Sequence, residues 1–155
     1  VYTGYLLKGQ PNDAKGEAKY FKKGSLLYTY KGNFTQGERV GEGYVIEKRM
    51  PGSSNLYDYF IYTGKVYNDT LNDSEGKGIY LSQGLEYTYI GGYKHNKKNG
   101  FGRETFSEKD IEQQKAKGTD DPFIYIEGDF KDDVINKGIL ERRSGATVEY
   151  VNRNK

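Results

Sequence analysis

Apolar and polar residues alternate with a period of two in two well-separated stretches. Along Leu26, Tyr28, Tyr30, Gly32 and Phe34 every second residue is apolar, aromatic or glycine, while Ser25, Leu27, Thr29, Lys31 and Asn33 are mostly polar. The alternation returns in Leu85, Tyr87, Tyr89, Gly91 and Tyr93, set against Glu86, Thr88, Ile90 and Gly92. Alternate side chains of a strand share a face, so each stretch predicts a half-buried strand and argues against a helix.

The strands belong to a repeating unit. Its cleanest copy is Tyr30, Gly32, Phe34, Gly37, Gly41 and Gly43: an aromatic, Gly at +2, an aromatic at +4, then Gly at +7, +11 and +13. Tyr89, Gly91, Tyr93, Asn96, Gly100 and Gly102 keep that spacing with one replacement. Looser copies begin at Tyr2 (Gly4, Leu6, Gly9), at Tyr62 (Gly64, Val66, Asp69) and at Ile126 (Gly128, Phe130, Asp133). A partial one begins at Tyr150, with Asn152 in the Gly place. Gly37, Asp69, Asn96 and Asp133 all tolerate left-handed backbone and predict the turn of a hairpin. The Gly-x-Gly pair then opens the return strand, as in Gly41-Glu42-Gly43-Tyr44-Val45-Ile46. A glycine facing the aromatic row leaves room for a neighbouring ring. One such hairpin cannot bury its own apolar face, so stacking of copies must do so.

Residues 107–121 break the pattern. Ser107 to Lys117 is rich in helix formers, Ser107-x-x-Asp110 resembles a capping box, and Gly118 is a natural stop before Thr119-Asp120-Asp121-Pro122. This predicts a short exposed helix or a flexible insertion, with only Ile111 and Ala116 to pack.

The spaced Tyr-x-Gly units resemble the MORN repeat (membrane occupation and recognition nexus) over nearly the whole chain except 107–121. The resemblance implies an all-β, elongated, single-layer antiparallel sheet of stacked hairpins over 1–155. First glycines of successive copies lie 28, 32, 27 and 37 residues apart, which implies a divergent array with lengthened loops. It also implies that an aromatic-lined face of the array binds partner segments. Phosphoinositide binding is a second use proposed for the family.

Composition fits such an array. The apolar fraction is 34% and the mean hydropathy −0.92, low for a globular core, yet 16 Tyr and 7 Phe set the chain apart from disordered sequences. A Tyr ring buries about 150–250 Å² while its hydroxyl can stay wet at the rim of a thin sheet. No apolar run approaches the length of a membrane-spanning helix, and 24 basic against 22 acidic residues is too balanced for an obligate nucleic-acid binder. The chain opens at Val1 without a signal-peptide pattern, as expected of a processed chain or of one cut from something longer.

Candidate chemistry is sparse. There is no cysteine, and His95 is the single histidine, so neither a Ser-His-Asp choice nor a multi-His metal cluster is on offer. The Gly-x-Gly pairs lead into strands and lack a following Gly-Lys-Ser/Thr, so they do not read as nucleotide loops. Asp120-Asp121 and Asp132-Asp133 read as turn residues, not as an acid and base pair. Asn33, Asn68 and Asn72 each open a glycosylation sequon, a weak hint at this frequency. No catalytic residue, metal or cofactor is expected.

The expected function is a non-enzymatic scaffold that holds another protein or a larger complex. Most of the aromatic row should be core, but an open sheet leaves one side uncovered. Tyr28, Tyr30, Phe34, Tyr62, Tyr87, Tyr89, Tyr93 and Phe130 are therefore the candidate partner-binding residues. The alternative is an anionic membrane surface met by the basic turn Lys94, His95, Lys97 and Lys98, although a solvated turn is the blander reading. A third reading is self-association through the open terminal hairpins.

Overall fold

A computed structural model describes residues 1–48, 59–82 and 85–153. In chain order the elements are β1 (Tyr2–Thr3), β2 (Leu6–Leu7), β3 (Gln10–Pro11), β4 (Asp13–Lys22), β5 (Ser25–Thr35), β6 (Glu38–Lys48) and β7 (Tyr59–Tyr67). There follow β8 (Thr70–Leu71), β9 (Asp73–Ser82), β10 (Leu85–Lys94), β11 (Lys97–Phe106), α1 (Glu108–Ala116), β12 (Phe123–Lys131), β13 (Val134–Arg142) and β14 (Thr147–Val151). Eleven of the strands form one path, β1-β4-β5-β6-β7-β9-β10-β11-β12-β13-β14, with β8 paired to β7 and with β2 and β3 forming a small separate ribbon. Every pairing is antiparallel and the sheet does not close, so the expected all-β open sheet of hairpins is what the chain forms.

Two-residue turns set the register. Gln36-Gly37, Asn68-Asp69, His95-Asn96 and Asp132-Asp133 all have positive φ at both central positions. That is the type I′ geometry whose twist matches a hairpin. These four turns, with Lys8-Gly9, lie on one side of the sheet, here the tip side. Each is tied to the unit before it: the amides of Gly37, Asp69, Asn96 and Asp133 donate to the carbonyls of Pro11, Arg39, Leu71 and Lys98 at 2.9–3.3 Å. Three of the turns return the bond through a side chain. Asp69, Asn96 and Asp133 Oδ1 accept from the amides of Arg39, Leu71 and Lys98 at 2.9, 2.8 and 2.9 Å.

A column of glycines crosses the sheet in register, Gly16–Gly32–Gly43–Gly64 in one half and Gly76–Gly91–Gly102–Gly128–Gly138 in the other. Tyrosine rings lie in this trench. The hydroxyls of Tyr2, Tyr30, Tyr62 and Tyr89 each donate to the carbonyl three residues on, in Tyr5, Asn33, Lys65 and Gly92, at 2.7–3.2 Å. A Cβ placed on Gly64 would stand 2.5 Å from the Tyr62 hydroxyl, and one on Gly91 2.6 Å from that of Tyr89, which is why Tyr-x-Gly recurs where it does.

The rings then interlock between copies. Phe34 stands edge-on between Tyr2 and Tyr30, at 5.0 and 5.1 Å, and Tyr93 between Tyr62 and Tyr89, at 4.9 and 5.2 Å. Phe130 closes on Tyr89 at 5.1 Å. Each pair contributes about 0.5–1.5 kcal/mol beyond the area it buries. This row is the main core.

The insertion at 107–121 holds a helix. Ser107 is its N-cap and forms the capping box with Asp110, and Gly118 follows its end at φ 91. Ile111 is buried as the helix leans on β10 and β11, and the Gln114 amide exchanges two 2.9 Å bonds with the Phe123 backbone. Ala116 is exposed.

The copies alternate in kind. Tyr2-Thr3-Gly4, Asn12-Asp13, Gly16 and Tyr20 recur 60 residues on as Tyr62-Thr63-Gly64, Asn72-Asp73, Gly76 and Tyr80. Tyr28-Thr29-Tyr30, Gly32, Arg39, Gly41 and Gly43 recur 59 residues on as Tyr87-Thr88-Tyr89, Gly91, Lys98, Gly100 and Gly102. Geometry follows sequence: Asp13 accepts from the amides of Tyr5 and Lys15, and Asp73 from those of Lys65 and Glu75. The larger unit is therefore a pair of hairpins.

Candidate functional site

Six of the eight aromatic candidates are sealed. Tyr30, Tyr62 and Tyr89 have 0% exposure, and Phe34, Tyr93 and Phe130 are also buried. The expectation that they would offer a contact face is corrected. The first-position rings lie in the glycine trench, where +4 rings cover them: Phe34 lies against Tyr30, Tyr93 between Tyr62 and Tyr89, and Phe130 against Tyr89. Burial holds these phenols neutral: Tyr30 is pushed up to about 12, and Tyr89 and Tyr93 rise further for the same reason.

Tyr28 and Tyr87 remain half-buried. They belong to a second aromatic row, one step from the trench. In it Tyr20 faces Tyr28, Phe60 faces Tyr80, and Tyr80 faces Tyr87, which faces Phe106. Tyr20 and Tyr28 stack at 4.3 Å, Phe60 and Tyr80 at 4.6 Å, and Tyr80 and Tyr87 at 4.9 Å. Tyr20 and Phe106 are half-buried too, and Phe21 and Leu26 beside the first stack are exposed. Tyr20, Phe21, Leu26 and Phe106 are thus accessible residues that the repeat pattern did not single out.

A cation sits behind each end of this row. The Arg39 guanidinium lies 5.1, 5.3 and 5.7 Å from the ring centres of Tyr20, Tyr28 and Tyr30. Its Nη1 donates to the Tyr28 hydroxyl and its Nε to Asp69 Oδ1, both at 2.9 Å. Burial opposes the charge on Asp69, but the Arg39 bonds win and hold its carboxyl below the ordinary value. Fifty-nine residues on, Lys98 Nζ lies 4.3, 4.7 and 5.3 Å from Tyr80, Tyr87 and Tyr89. It donates to the Tyr87 hydroxyl at 3.1 Å and to Glu104 Oε1 at 2.6 Å.

Lys98 is accordingly 1% exposed and is not part of a basic surface, which corrects its place in the lipid-facing set. Its alternation with Lys97 turns it inward, where the aromatic box and Glu104 take the charge. Lys94, His95 and Lys97 are exposed on their turn. The adjoining turn, tied to theirs through the Asp133–Lys98 bonds, carries exposed Asp132 and Asp133.

The remaining chemical candidates are used as structural groups. Asp121 accepts from the Ser144 amide at 2.9 Å and hydroxyl at 2.6 Å, while Asp133 caps Lys98. Gly41 and Gly43 lie within a strand. Among the described residues no three His, Asp or Glu side chains converge as a metal site. Compared with family models and with curated proteins, the sequence matches none.

Proposed function

We propose that the chain is a non-enzymatic scaffold of the MORN type, which holds an extended segment of a partner protein against the outer aromatic row. The observation that carries this reading is the accessibility of that row. Tyr20, Tyr28, Tyr87 and Phe106 are half-open stacked or paired rings on rigid strands, whereas the trench rings are closed. Half-open aromatics on a preformed surface lose little conformational entropy on contact and are the usual anchors of binding. The anionic-lipid reading has less behind it, because Lys98 is turned inward and Asp132-Asp133 border the remaining Lys94, His95 and Lys97.

The reading is tested by selecting displayed random peptides on the 155-residue chain, then measuring the winners against a Tyr28→Ser/Tyr87→Ser variant of unchanged circular dichroism. Peptides rich in aromatic or branched aliphatic residues should emerge, and binding should weaken roughly tenfold or more in the variant. Winners indifferent to both substitutions would overturn the site. Co-flotation with anionic vesicles in place of peptide binding would favour the basic turn.

A further inference from the structure

Side chains alternate between the faces of a strand, so Ile90, next to Tyr89, lies on the face opposite the aromatic rows. On that face six strands in register bring Lys77, Ile90, Arg103, Glu127, Ile139 and Glu149 side by side, from β9 to β14. Ile90 and Ile139 are 54% and 48% exposed. Arg103 and Glu127, at the centre of the row, pair with each other at 2.6 Å. Lys77 and Glu149, at its ends, are exposed and have no ion-pair partner among the described residues. Five strand spacings, about 24 Å, keep those two from meeting within one chain. In order the row reads plus, apolar, plus, minus, apolar, minus. Reversed, with every sign changed, it is the same row.

We infer that this face joins two copies of the chain back to back, with Lys77 of each protomer meeting Glu149 of its partner. A twofold axis lying in the interface, parallel to the strands, produces that match. It sets Ile90 on the partner's Ile139, and the central Arg103–Glu127 pair on the same pair reversed, so that four charges alternate in sign. In the adjoining rows it sets Phe101 against Asp129 and Thr88 against Glu141, without opposing like charges. An axis across the strands would instead put Lys77 on Lys77 and Arg103 on Arg103, so the charges select the axis along them. Sheets packed face to face keep their strands within about 30° of each other, and side chains of this length span the gap of about 10 Å. The six strands offer a face about 24 Å across and about 27 Å long, roughly 650 Å² per copy, below the ~800 Å² of a standard interface. The dimer is therefore weak, with a dissociation constant on the order of 10–100 µM. This goes beyond the scaffold reading, which concerns the opposite face: the outer aromatic rows of both copies stay uncovered, on opposite sides of the pair.

Sedimentation equilibrium of the 155-residue chain at low salt should show a monomer–dimer equilibrium with a constant in that range. Lys77→Glu and Glu149→Lys each create two like-charge contacts per dimer, and each alone should weaken association about tenfold or more. An equimolar mixture of the two variants should recover it. In the mixed pair the carboxylate placed at position 77 meets the ammonium placed at position 149, and the native Glu149 meets the native Lys77. Recovery on mixing also shows that both variants are folded. A chain that stays monomeric up to about 1 mM would overturn the inference. So would a dimer that either substitution leaves unchanged, which would assign the association to another surface, or a mixture that associates no better than its components. None of these results bears on the outer aromatic row, which the peptide selection decides separately.

Discussion

Arg39 and Lys98 occupy one position of the larger unit and do one job, the closing of an aromatic box that contains a phenol hydroxyl. Each holds a phenol through a hydrogen bond, and Arg39 faces three rings and Lys98 four, but the anions differ: Asp69 comes from the next turn, Glu104 from the same hairpin. A buried cation deprived of its anion is expensive, whereas an apolar replacement of both is not. Glu104→Gln should therefore cost about 3 kcal/mol in urea unfolding, and Lys98→Met added to it should recover most of that. Additive losses in the double variant would show that the box does not depend on the pair. Little of this was legible one unit at a time. The period-two pattern identifies the aromatic face correctly, but whether a ring is sealed depends also on the +4 ring of another copy, as with Tyr93 on Tyr62. The signal that would have found Lys98 is the recurrence of Tyr-Thr-Tyr with a basic residue eleven positions beyond its first Tyr, at Tyr28 and again at Tyr87.

Among elements, the turns were readable because Gly, Asn and Asp are the residues that accept positive φ, and Gly37, Asp69, Asn96 and Asp133 all do so. Their bonds to the preceding unit were not, since an Asn side chain can bond its own turn as readily as a neighbour until register brings the neighbour close. Asn96 separates the two roles. Asn96→Gly keeps the backbone and loses the bond to Leu71, at about 1 kcal/mol, while Asn96→Ala adds the left-handed penalty for about 2 kcal/mol or more. Equal losses in thermal unfolding would mean that the tie contributes nothing beyond the turn. Tied tips also explain the uneven repeat spacing. From glycine to glycine around the tip side the chain takes 12, 11, 12, 11 and 10 residues, but 16, 21, 15 and 26 around the opposite side. Length varies on the side opposite the tips, and α1 lies in the longest of these excursions. Its start at Ser107 was legible from local capping chemistry; the burial of Ile111 was not, because it follows from the helix leaning on β10 and β11.

For the molecule as a whole, ionisation bounds stability on both sides. Asp69 and Asp73 are held below the ordinary 3.8, because hydrogen bonds from Arg39 and from the Glu75 and Lys65 amides outweigh burial. Their contribution is present above that value and is lost as the pH falls through their lowered values. The trench phenols act oppositely: with Tyr30 raised from 10.0 to about 12, the contribution is complete below 10.0 and lost as the pH climbs through the raised range. The urea midpoint plotted against pH should therefore form a plateau falling at both ends, with the alkaline fall accompanied by tyrosinate absorbance. Full tyrosinate absorbance at pH 11 in a still-folded chain would contradict sealed phenols. The serial order of the sheet has a mechanical consequence. A pull applied between β1 and β14 would load the strand pairs one after another, like the links of a chain, and open them by peeling instead of by sliding. The tip ties then become crosspieces that let a stretched array yield one hairpin at a time and rewind when the load is released.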